Sequence, residues 1–166
     1  MRAVLIACVL ALLAVQRAAA EDGCRQFAWP VDRELELFSD GFVADVESES
    51  ALPKDGVFSL LLQPVATVIY TVAPERGRDD GLGGVVTLEW ISAGRYQVTL
   101  SGEAWIDALQ NERRLPALAS TSRSDCPGIR QSVQFEVDSE PLTLQFSGAA
   151  IRRKRDTSGR IEAVVE

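Results

Sequence analysis

No histidine occurs among the 166 residues. That absence excludes imidazole acid-base catalysis, Ser-His-Asp and Cys-His nucleophiles, and histidine-bearing zinc or non-haem iron sites. The lysines are Lys54 and Lys154, and neither lies in a Ser-x-x-Lys motif, which removes a Ser-Lys nucleophile. Carboxylate chemistry remains. Among the 24 acidic residues, Asp107 stands out, because the run Ala104-Trp105-Ile106-Asp107 places it in an apolar strand beside an indole. It reads either as the end of a strand, capping the next turn, or as a binding residue, or as one member of an acid-base pair of the glycosidase kind.

Three further groups invite a binding role. Trp105 alternates with Ile106, so one of the two faces away from the core, and an outward indole on a β-sheet can stack on a sugar ring. Arg152, Arg153, Lys154 and Arg155 form the basic cluster of the chain, either a charged strand edge that discourages aggregation or a docking patch for acidic surfaces. The stretch Arg76-Gly77-Arg78-Asp79-Asp80-Gly81 is rich in oxygen donors but lacks the alternating acidic pattern of a calcium loop, and reads as a solvated loop. Trp90, in phase with Val86 and Leu88, is expected in the core, and Trp29 between helix and sheet. No metal and no cofactor is expected.

The compartment is read from the first twenty residues. Arg2, the apolar run Ala3 to Val15 and Ala18-Ala19-Ala20 have the form of a cleaved export signal, with an apolar run of about 13 residues against the roughly 20 a bilayer crossing needs. A lipid anchor at Cys8 is disfavoured, because only four residues precede the Leu5-Ile6-Ala7-Cys8 box. Cleavage near Ala20 leaves Cys24 and Cys126 to pair in an oxidising periplasmic or extracellular space. The leader carries two of the 17 basic residues and none of the acidic ones, so the mature chain has a net charge of -9. Nucleic acid is a poor partner for that balance, no membrane span is expected, and the chain is read as a monomer.

Residues 21–55 read as an N-terminal segment. It holds a short helix over about 30–39, from Pro30 and the spacing of Val31, Leu35 and Phe38, followed by an acidic surface loop over 43–56. From Gly56 to the end the apolar period is two, with turn residues every 8 to 12 positions, and residues 56–166 read as the body of one domain shared with 21–55. The fold class expected is all-β, an antiparallel, jelly-roll-like β-sandwich with one short N-terminal helix. Asp138 to Pro141 is expected to join a hairpin, and Asp156 to Gly159 another.

The motifs Cys24-x-x-Phe27-x-Trp29-Pro30, Ala93-Gly94-x-Tyr96-x-Val98, Ala104-Trp105-Ile106-Asp107 and Cys126-Pro127-Gly128-Ile129-Arg130 resemble those of a family of uncharacterised exported bacterial proteins. The resemblance implies compartment and fold more than activity. Some relatives in that family carry a homogentisate dioxygenase label by name transfer, and the missing histidine ligands argue against such chemistry here. The function expected is that of a periplasmic or secreted binding protein for an envelope polysaccharide or a protein partner. A carboxylate-based hydrolase of envelope glycans and an inhibitor of a cationic lytic enzyme are the alternatives.

Overall fold

A computed structural model describes residues 23–39, 43–77, 80–150 and 159–166. The leader, Cys8, the basic cluster Arg152, Arg153, Lys154 and Arg155, the turn at 156–158, and Arg78 and Asp79 lie outside the described residues.

The fold is all-β. Helix α1 (Asp32–Ser39) precedes eleven strands: β1 (Asp45–Val46), β2 (Ser50–Leu52), β3 (Gly56–Pro64), β4 (Leu82–Leu88), β5 (Gly94–Leu100), β6 (Trp105–Gln110), β7 (Arg113–Arg114), β8 (Ala117–Ser122), β9 (Gln131–Val137), β10 (Leu142–Ala149) and β11 (Gly159–Val165). One continuous sheet runs β7-β6-β10-β4-β3-β11-β5-β9-β8, with β1 added in parallel to β3 and β2 in parallel to β4. The expected two-layer sandwich is therefore met in part. Strand β3 pairs with β11 along most of its length and with β4 at Gln63 and Pro64, so a single sheet curls around one core instead of splitting in two.

The period-two pattern explains that core. Phe58, Leu60 and Leu62 of β3 pack with Val98 and Leu100 of β5, Ile106 of β6, Phe135 of β9, Leu144 and Phe146 of β10 and Ile161 of β11, all buried. Alternate residues face out, and both outer faces are covered. Over β5, β9 and β11 lies α1 with its own small cluster of Phe27, Val31, Ile129 and the bonded pair Cys24–Cys126, whose Cα atoms are 4.6 Å apart. Trp29 is half-buried there and donates Nε1 to Ser132 Oγ at 3.0 Å. Glu34 is also buried on this face. It accepts from Gln97 Nε2 and, at 3.3 Å, from Thr99 Oγ1, which in turn bonds Ser132 Oγ at 2.8 Å. Burial and the nearby Glu34 push the Glu166 carboxyl above its ordinary range, against the pull of Arg33 at 2.8 Å.

Over β6 and β10 lies a strap of residues 65–77, which opens with a 3-10 turn at Val65–Thr67. Gln145, fully buried, accepts from Thr71 N–H and Val72 N–H and donates to the Val72 carbonyl. Ser147 Oγ donates to Arg76 O at 2.7 Å, and Tyr70 Oη to Phe146 O at 2.9 Å. Gly83 makes room for that phenol, because a Cβ there would lie 2.1 Å from Tyr70 Oη and 2.5 Å from Phe146 O. Burial, reinforced by the Asp107 charge, pushes the Tyr70 phenol up to about 12. A raised acid contributes stability that is complete below its unfolded value of about 10 and is lost as pH rises through the folded one. Tyr70→Phe is accordingly expected to cost about 1 kcal/mol at neutral pH, through the lost hydrogen bond. It should also flatten the alkaline limb of stability between the two values, as denaturant titrations across that range would record. An unchanged alkaline limb would contradict the assignment.

Several expectations are corrected. Trp90 is 75% exposed rather than core. Strand β4 ends at Leu88, Glu89 N–H bonds the Leu52 carbonyl, and the chain then crosses to β5 in the other half of the sheet, so the alternation breaks before 90. Residues 43–56 carry β1 and β2 instead of forming a plain loop. Asp138 to Pro141 does not join a hairpin, because β9 pairs with β5 and β8 whereas β10 pairs with β4 and β6. The hairpin expected around Asp156 to Gly159 falls outside the described residues, while β11 itself neighbours β3 and β5. The buried side chain of Gln110 holds the crossover instead, donating to the carbonyls of Asp138 and Glu140 and accepting from Asp138 N–H.

Candidate functional site

The two ends of the sheet are neighbours in sequence. Strands β6 and β7 begin a hairpin around Asn111 and Glu112, both with positive φ, and pairing extends to Leu115 N–H on the Ala108 carbonyl at 2.8 Å. There the chain leaves β6 and runs as β8 beside β9, so β6 and β8 splay apart. The gap is spanned at its other end by Gln131 Nε2 donating to the Ala104 carbonyl at 2.6 Å.

A cavity of about 400 Å³ fills this wedge. Its apolar lining comes from the inward side chains Ile106, Leu115, Val133 and Phe135. Its polar wall comes from Ser120 and Ser122 of β8 and from Gln131. Because Arg123 N–H donates to the Arg130 carbonyl, the antiparallel alternation turns the backbone groups of Ser120 and Ser122 away from β9. A second concavity of about 360 Å³ shares Ala104, Trp105, Ser122 and Gln131 with the first. Trp105 thus borders both.

Ile106 points into the core and the half-buried Trp105 faces out. The indole Nε1 donates to Asp107 Oδ1 at 2.9 Å, and the Arg76 guanidinium carbon sits 4.9 Å from the ring centroid. Asp107 lies within β6 and is 4% exposed, so it neither ends the strand nor caps a turn. Its Oδ2 accepts the Glu75 N–H at 3.0 Å, and Arg114 Nε approaches Oδ1 at 3.3 Å. With three donors engaging it, this carboxylate fastens the strap to β6.

No family model, curated protein or solved structure matches the chain.

Of the residues singled out by sequence, Trp105 and Asp107 meet at the cleft, while Cys24 and Cys126 staple the opposite face. The four-residue basic cluster lies outside the described residues. Glu75 and the β8 serines belong to the site and were missed, and Arg76, read as part of a solvated loop, sits over the Trp105 ring. Among the described residues no group of three or more His, Cys, Asp or Glu side chains is placed to hold a metal ion, and no helix is long and apolar enough to cross a membrane.

Proposed function

We propose that this is an exported, non-catalytic binding protein of the periplasm or extracellular space, whose partner engages the cleft between β6 and β8. The observation that carries the reading is the wedge itself, a cavity of about 400 Å³ with an apolar lining, hydroxyl and amide groups along one wall, and an indole at its border. That is the composition of a ligand site, a mostly apolar concavity with a few placed polar groups. The export signal and the Cys24–Cys126 bond support an oxidising compartment. The engagement of Asp107 by Trp105, Glu75 and Arg114 weighs against glycan hydrolysis through that carboxylate. An envelope glycan and an envelope protein are the partner classes suggested by the compartment. The apolar lining favours one that inserts an apolar group over one that stacks a sugar on Trp105, whose ring Arg76 already approaches.

A photo-crosslinking residue at Ser120, in the cleft, is expected to capture a partner in the intact envelope, whereas the same residue at exposed Glu140 is not. Ser120→Trp, which fills the wedge from an exposed position, is expected to abolish retention on envelope fractions without changing the fold. Equal capture at both positions, or retention undiminished by Ser120→Trp, would refute the reading.

A further inference from the structure

We infer that the partner of the cleft is an extended polypeptide segment that adds to β8 as a further strand and seats alternate apolar side chains in the wedge; this rests on the reading of the cleft as a binding site. The two ends of the sheet are finished differently. Strand β7 is two residues long and both are arginine, the kind of short, charged edge that resists pairing with another chain. Strand β8 is six residues long, Ala117–Ser122, has no charged residue and no proline, and is exposed at every position except Thr121. The Thr121 side chain belongs to the opposite face, where its Oγ1 accepts the Ala28 N–H at 3.2 Å. One edge is thus blunted and the other is left open beside a cavity.

The groups on the open edge dictate their complement. The N–H and C=O of Ser120 and Ser122 turn away from β9, and among the described residues no strand pairs with β8 on that side. Every second residue of a strand recurs after about 7 Å, so the edge offers donor and acceptor together at a spacing that another extended backbone reproduces and a sugar does not. Side chains follow the same alternation. Ser120 is opposite Val133 and Ser122 is opposite Gln131, and all four line the cavity. A peptide residue paired with Ser120 therefore directs its side chain into the wedge toward Ile106, Leu115 and Phe135, and its neighbours point away. Backbone bonds hold such a segment while the wedge reads every second side chain. A second copy of the chain fits less well, because its own β8 is overhung by β6 across the same wedge, whose lips Gln131 and Ala104 tie at 2.6 Å.

The test uses the blocked pentapeptide acetyl-Thr-Leu-Thr-Leu-Thr-amide and two methylated forms of it on the disulfide-bonded protein. In the first form both leucine nitrogens are methylated, which removes the donors that face β8 when the leucines enter the wedge. In the second, two threonine nitrogens on the opposite edge are methylated instead. Binding is followed by NMR shifts of the Ser120 and Ser122 amides and of the Val133 and Leu115 methyl groups. The parent and the threonine-methylated peptide are expected to bind alike, and the leucine-methylated one about tenfold more weakly, the scale of a lost backbone hydrogen bond. Ser120→Pro, which withholds an N–H that β9 does not use, should weaken the parent peptide about tenfold and leave amide exchange on β5 and β9 unchanged. Should that variant not fold, the two methylated peptides decide the matter on the unaltered protein. Equal binding of all three peptides, or no shift with any of them at millimolar concentration, overturns strand addition alone, because crosslinking at Ser120 reads the cleft with its own partner. A dimer formed by the protein by itself, seen in sedimentation and dispersed by Ser120→Pro, would overturn the peptide in favour of a second copy.

Discussion

Replacing Cys24 and Cys126 together by serine is expected to lower the unfolding free energy by about 2–5 kcal/mol. The bond spans 102 positions, and on the chain-entropy model a loop of that size is worth roughly 4.7 kcal/mol, an upper figure because denatured-state structure erodes it. The loss should not be uniform across the molecule. Cys24, Phe27, Val31, Cys126 and Ile129 form a cluster separate from the main core, so the segment 23–39 depends on the bond for much of its hold on the sheet. Hydrogen exchange is expected to show α1 and its flanks opening more readily in the double serine variant, with β4, β6 and β10 protected nearly as before. Equal loss of protection everywhere, or a change below about 0.5 kcal/mol, which is the scale of ordinary surface substitutions, would contradict this account.

Asp107→Ala is expected to cost about 2–4 kcal/mol and to loosen the strap. Removing the carboxylate leaves the Trp105 indole N–H and the Glu75 backbone N–H without acceptors in a partly buried place, a penalty of about 1–3 kcal/mol for each group that water cannot reach. The released Arg114 adds little, because its side chain is about a third exposed and regains water. Asp107→Asn is the sharper variant. The amide keeps the shape but turns its NH2 toward one of the two donors, so it should recover only part of the loss. Denaturant unfolding measures the total, and exchange of amides 70–77 locates it. If Asp107→Asn left both stability and strap protection unchanged, the carboxylate would have no fastening role.

Much of the fold was legible because burial on a strand writes itself as a period of two. Tyr96, Val98 and Leu100 of the run Arg95 to Leu100, and the series Val133, Phe135, Val137, point inward as their alternation requires. Helix α1 was legible from Val31, Leu35 and Phe38. The same spacing held information that was passed over, since Glu34 occupies a position on that apolar stripe three residues after Val31, and it is buried with Gln97 and Thr99 as partners. A charged residue on the apolar face of a short helix signals a polar network beneath it.

The errors share one cause. Adjacent strands joined by short turn-like segments were read as hairpins, but alternation is a property of one strand and carries no record of its neighbour. The segment Asp138 to Pro141 is as turn-like in a crossover as in a hairpin. What distinguishes the two is the distant Gln110, whose buried amide holds the Asp138 and Glu140 carbonyls. Trp90 failed similarly, because whether a strand continues depends on the hydrogen bond that ends it.

From sequence alone came the excluded chemistry, the strand-rich class, the paired cysteines, and Trp105 and Asp107 as residues to watch. Each of these follows from side-chain identity or local periodicity, which a chain carries before it folds. Tertiary structure decided which strands meet, which groups engage Asp107, and that a cleft exists at all. The wedge between β6 and β8 is made of groups from positions 75 to 135, brought together by the curl of the sheet. Its opening follows from the chain leaving β6 after Leu115 to run as β8 beside β9, and its walls follow from β9 and β10 lying in different halves of that sheet.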